Sequence, residues 1–185
     1  EVWSVAFTRD RQRLISAGSG GVQFWEVPSG RGVADRPFIK GQTAALAAQA
    51  PVLVASPWHP AGSATPEPMV SIDLQTGIAF DLPVRGRFPA LSPDGRQLAF
   101  LDSQNSVQLW DLAGMRPLRT VATNRNLFTL RFSPDGRQLA AAGRMTHARI
   151  WDLARPEAPP RLFPHERNVW LATFAPDGRT LLTCS

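Results

Sequence analysis

Apolar and polar residues alternate with a period of two over Val2 to Phe7, Leu127 to Phe132 and Val169 to Phe174. Such alternation predicts half-buried strands. Shorter apolar runs follow each of them at Leu14 to Ala17, Leu139 to Ala142 and Thr180 to Cys184, and another stands at Leu98 to Leu101. A third set, Val22 to Val27, Val107 to Leu112 and Ala148 to Leu153, carries a Trp near its end. Weaker outer strands are expected at Leu118 to Val121 and Arg161 to Phe163. Turn residues separate these runs at intervals of about 8–12 residues, the mark of an all-β repeat.

The repeat is explicit. Ser92-Pro93-Asp94-Gly95-Arg96-Gln97-Leu98-Ala99 returns as Ser133-Pro134-Asp135-Gly136-Arg137-Gln138-Leu139-Ala140, a step of 41 residues. It returns again as Ala175-Pro176-Asp177-Gly178-Arg179, and Thr8-Arg9-Asp10-Arg11 reads as a worn copy. Pro at the second place and Gly at the fourth suit a type I turn, with Asp bonding nearby backbone N–H groups. A second marker keeps the same beat in Trp25-Glu26, Trp110-Asp111 and Trp151-Asp152.

These features resemble WD40 repeats, which have a period of about 40–45 residues and four strands per propeller blade. Val-Trp-Ser-Val-Ala-Phe at 2–7 and Val-Gln-Leu-Trp-Asp-Leu at 107–112 carry the resemblance most closely. It implies an all-β propeller of WD40 type, with about four complete four-stranded blades and half of a fifth. The expected blades are 2–39, 44–82, 87–121, 127–163 and a partial 169–185. An incomplete, open arc follows, read as part of a longer propeller that is seven-bladed by resemblance, and an isolated chain prone to aggregate. Three departures stand out. Blade 44–82 has Ile72-Asp73-Leu74 in place of Trp-Asp and lacks Pro-Asp-Gly. The family's Gly-His survives only as Pro164-His165. Its Asp before the third strand is missing, with Gly20, Asn105 and Thr146 near that place.

Composition narrows the function classes. With 185 residues, 43% of them hydrophobic and 19% charged, the chain can bury a core without staples. One cysteine, Cys184, excludes an internal disulfide and any CxxC site. The net charge is +5, and Lys40 is the only lysine among 20 basic residues. That Arg usage reads first as a genomic trait, and so small a charge spread over both faces does not point to nucleic acid. No apolar run reaches the roughly 20 residues of a membrane span.

Catalytic signatures do not assemble in this sequence. Gly18-Ser19-Gly20 lacks the spacing of a nucleophile elbow or a dinucleotide loop, and Gly41 is not followed by Lys and Ser or Thr. His59, His147 and His165 are too scattered for a zinc pair. Asp94, Asp135 and Asp177 read as turn residues, and Trp25, Trp110 and Trp151 as packing between blades. No catalytic residue, cofactor or metal is expected.

Candidate partner-binding residues come from two places. Trp3, Arg87, Phe128 and Trp170 share one repeat-equivalent position, second in the first strand, which the resemblance places beside the top opening of the channel. Residues 57–68 hold four prolines with Trp58 and His59, and should project as a loop. By the same resemblance, the top loops gather Lys40, Arg85, Arg87, Arg125, Arg144 and Arg167 against only Glu67 and Glu166. This predicts a basic face suited to an acidic peptide or protein. The expected function is a noncatalytic protein-interaction scaffold within a larger, cytoplasmic bacterial signalling protein, with further blades and a kinase domain in the parent chain. The alternative is a TolB-like or prolyl-oligopeptidase-like propeller attached to an envelope complex or a hydrolase.

Overall fold

The computed structural model describes residues 1–8, 10–33, 43–57, 67–123 and 126–185, without the side chain of Trp3. Every regular element in it is a strand. Five antiparallel sheets follow one another along the chain, each a meander. The first holds β1 (Val2–Phe7), β2 (Arg13–Gly18) and β3 (Gly21–Glu26). The second holds β4 (Thr43–Leu46), β5 (Val52–Ser56), β6 (Val70–Asp73) and β7 (Ala79–Asp81). The third holds β8 (Arg87–Leu91), β9 (Gln97–Leu101), β10 (Ser106–Asp111) and β11 (Arg116–Thr123). The fourth holds β12 (Leu127–Phe132), β13 (Gln138–Gly143), β14 (His147–Asp152) and β15 (Arg161–Pro164). The last pairs β16 (Leu171–Phe174) with β17 (Leu181–Cys184). This is a four-bladed propeller arrangement with a small extra sheet. The first blade shows three strands, and residues 34–39, where a fourth was expected, lie outside the described residues.

Alternation within each strand gives every sheet two faces, and the facing sides of consecutive sheets pack on one another. Leu139, Ala141 and Trp151 of the fourth sheet meet Ala99, Leu101 and Leu109 of the third. Leu98 and Phe100, on the opposite face of the third sheet, meet Val54 and Met69 of the second. Leu53 and Ile72 meet Ile15 and Phe24 of the first. Ile72 thus does in the second sheet what the Trp does in the third and fourth, filling the seam with the preceding blade. Trp151 is buried, Trp110 packs against the core between the second and third sheets, and Trp25 lies part-buried on the outer face of the first. Trp25 Nε1 donates to Ser16 Oγ at 2.8 Å, whereas the buried Trp110 Nε1 has no acceptor among the described residues.

The repeated turns are alike in detail. Ser133 Oγ donates to Asp135 Oδ1 (2.5 Å), which also accepts from Arg137 N (3.0 Å), while Gln138 N donates back to Ser133 Oγ (2.9 Å). Gly136 closes the type I bond to Ser133 O at 2.9 Å with φ of 72°, a conformation that favours glycine. The worn copy keeps the geometry, with Arg11 in the glycine's place at φ of 57°. Asp73, Asp111 and Asp152 close the outer hairpins by the same means. A further aspartate, passed over in the sequence, stands in the loop before β10. Asp102 accepts from Gln104 N, Ser106 N and Gln108 Nε2.

The Ser133 hydroxyl, then the Arg137 N–H, hold the Asp135 carboxyl below its ordinary pKa, and Ser92 and Arg96 do the same for Asp94. A depressed folded pKa means the unfolded chain binds more protons, so stability is complete above the unfolded value of about 3.9 and falls as pH drops through the folded one. Urea midpoints should therefore decline below about pH 4, with a shallower slope in Asp135→Asn. An unchanged slope in that variant would remove Asp135 from the acid response.

Candidate functional site

Three of the first strands carry a bulge near their start. β1 shifts register between Val2 and Ser4, β12 between Leu127 and Thr129, and β8 between Arg87 and Ala90. A bulge adds an unpaired residue and re-aims its side chain. The unpaired residue of β12 is Phe128. In β8 the bulge begins one residue later, so Phe88 rather than Arg87 is turned out, with φ of 53°.

The outcome is an aromatic ladder across three sheets. Phe88 meets Phe128 edge-on with ring centroids 5.8 Å apart, and Phe128 stacks on Trp170 at 6.4 Å and 11°. Trp170 immediately precedes β16 and is held through its backbone. Its carbonyl accepts from Thr129 Oγ1 at 3.0 Å, and its N–H donates to Cys184 O at 2.8 Å. Two guanidiniums flank the ladder, Arg87 at 5.7 Å from the Phe88 ring and Arg144 at 5.8 Å from the Phe128 ring. Arg87 also donates to Asn105 Oδ1, tying the start of β8 to the β9–β10 loop. Each ring pair contributes about 0.5–1.5 kcal/mol beyond its buried area, so the ladder is a rigid platform. Phe88 and Phe128 are half-buried, while Trp170 keeps 50% of its surface exposed.

Of the sequence candidates, the structure brings Arg87, Phe128 and Trp170 into this one site. It adds Phe88, which repeat alignment missed because a one-residue shift of a bulge is invisible in spacing, and Arg144, which had been singled out only as a top-loop cation. Arg87 stands beside the ladder and not in it, a correction to its expected equivalence with Phe128. Arg167 is exposed in the segment before β16, away from any ring contact. Trp58, His59, Arg125 and the Trp3 side chain lie outside the described residues. His147 accepts from Arg149 Nε at 3.1 Å; burial first, then the Arg149 charge, lower its pKa. Among the described residues no group of His, Cys, Asp or Glu could hold a metal, and no helix is long and apolar enough to cross a membrane.

The family model described as WD domain, G-beta repeat, matches residues 1–26 and 115–152. Those two stretches are similar to WD40 repeats. The two matched stretches fall on the first blade and on the passage from β11 through β14, which includes Phe128 and Arg144. No curated protein matches the sequence. WD40 propellers are commonly noncatalytic scaffolds for protein interaction.

Proposed function

We propose that this WD40 propeller binds a peptide or protein segment across the Phe88–Phe128–Trp170 ladder, with Arg87 and Arg144 receiving acidic side chains of the partner. The observation that carries this reading is the half-exposed Trp170, stacked and backbone-pinned between two sheets in a ladder flanked by the Arg87 and Arg144 guanidiniums. An aromatic anchor that is already ordered costs little entropy on binding. Exposed guanidiniums add bidentate carboxylate contacts and steer an acidic partner. The WD40 match over residues 115–152, which include Phe128 and Arg144, favours the scaffold over an envelope or hydrolase-gating propeller. A place in a cytoplasmic bacterial signalling protein extends the same proposal.

The test is an array of acidic peptides, each with one aromatic or proline anchor, read against the same array with Gln and Asn in place of Glu and Asp. The acidic array should capture the protein. Trp170→Ala and Phe128→Ala should weaken its best binder by about 30-fold, the loss of roughly 2 kcal/mol typical of a hot spot. Arg144→Glu should act mainly through the association rate and lose its effect at high salt. Equal capture by the two arrays would overturn the acidic partner, and full binding by both alanine variants would overturn the site.

A further inference from the structure

The first strands of all five sheets surround a central channel, and it has a cavity of about 390 Å³ that reaches to the Pro-Asp-Gly turns. The register places one set of residues at the same height around it. Ala6, Ala45, Ala90, Arg131 and Thr173 each stand one residue before the end of their first strand, paired with Ile15, Val54, Ala99, Ala140 and Leu182. Four of the five are small. The fifth is an arginine, Arg131, which lines the cavity with Ala6, Ala45 and Ala90.

Arg131 is the one charged residue among the described residues lining this cavity, and no Asp or Glu shares the lining. The neighbouring walls are mainly apolar, from Ala6, Ala45 and Ala90 to Pro134 and Phe174, with Ser4, Gln49 and Ser133 as the uncharged polar residues. Its guanidinium spends one N–H on Leu130 O at 2.8 Å, the carbonyl of the preceding residue, and makes no ion pair among the described residues. The side chain is exposed to water through the mouth of the channel, and the protein atoms crowded about it lower its pKa from the ordinary value. A water-reachable guanidinium in a cavity whose described lining holds no acid attracts an anion, and a planar carboxylate matches the fork of donors two at a time.

We propose that the central channel is a carboxylate-binding site with Arg131 as its anchor, accepting either a small dicarboxylate or the acidic side chain of a bound peptide. The proposal goes beyond the ladder and does not depend on it, since the cavity lies on the channel side of the strands and is lined by other residues.

Thermophoresis of the labelled full chain at nanomolar concentration tests it with three probes. These are succinate, acetyl-Ala-Glu-Ala-amide and acetyl-Ala-Gln-Ala-amide. Succinate or the Glu peptide should bind at least tenfold more tightly than the Gln peptide, and Arg131→Gln should erase the preference. Arg131→Lys, which keeps the charge and loses the fork, should retain part of it. Binding of succinate alone assigns a small-molecule site, and binding of the Glu peptide assigns a side-chain pocket. Arg179→Gln, at an exposed arginine outside the cavity lining, should leave both affinities unchanged, which ties the preference to Arg131 and not to charge in general. No preference for Glu over Gln together with no succinate binding, or an equal preference in Arg131→Gln, would overturn the proposal. The Glu–Gln comparison on the unmodified chain decides the matter even where the Arg131 variant folds poorly.

Discussion

Gly143→Ala is expected to lower stability by about 3 kcal/mol, the combined cost of overpacking and of broken backbone hydrogen bonds. A Cβ at this place would lie 1.7 Å from the carbonyl oxygen of Asn126 and 2.7 Å from its carbon, both backbone atoms that no rotamer change can move. Relief requires the start of β12 to part from the end of β13. That separation would break the bond from Arg144 N to Asn126 O (2.8 Å) and disturb the bond from Gly143 N to Val169 O (2.7 Å), which ties the fourth blade to the segment before β16. Because Asn126 and Arg144 flank Phe128, the ladder should loosen with it. For a chain of this size, 3 kcal/mol corresponds to a fall in Tm of about 6–12 °C. Gly20→Ala is the matched control. Its Cβ would meet nothing nearer than the Gln23 Nε2 at 3.8 Å, so its Tm should barely move. Equal melting of the two variants would show that the close approach at Gly143 is not required.

The same crossing recurs in other blades. Gly18 meets Glu1 O at 2.0 Å in the first, and in the third the glycine has moved to the opposite chain, where Gly86 meets Leu101 O at 2.5 Å. The structural demand repeats, although the residue that meets it changes strands.

Self-association through the two end faces is the second large effect expected. Val5 and Phe7 on the outer face of the first sheet are 61% and 59% exposed, and Leu182 on the outer face of the last is 55% exposed. The repeat positions they occupy are covered elsewhere. Leu91, in the place of Phe7, and Ala140, in the place of Leu182, are buried against adjoining sheets. Contiguous apolar faces of this kind mark association or aggregation surfaces. The 185-residue chain should therefore run above its monomer mass at tens of micromolar, in proportion to concentration. Phe7→Glu combined with Leu182→Glu should return it to 20.2 kDa in light scattering. A sharp monomer at high concentration in the unmodified chain would show that the end faces are harmless.

Much of this was legible from spacing alone. The 41-residue step, the Pro-Asp-Gly turns and the in-phase Trp residues marked strands of the first, third and fourth sheets, because a turn's backbone geometry and a strand's two-residue period are local properties written in adjacent residues, while the propeller arrangement was implied by the resemblance to WD40 repeats. The positions of Phe128 and Trp170 followed from the same beat. What the sequence could not decide depends on neighbours distant along the chain. Whether a bulge falls at Arg87 or at Phe88 is settled by how β8 pairs with β9, and that one residue determines which ring meets Phe128. The need for glycine at 143 arises from the carbonyl of Asn126 across the strand pair. Arg131 became a candidate anchor only once five strands, about 40 residues apart, set four small side chains around it. In each case the deciding quantity is a distance between segments that only packing brings together.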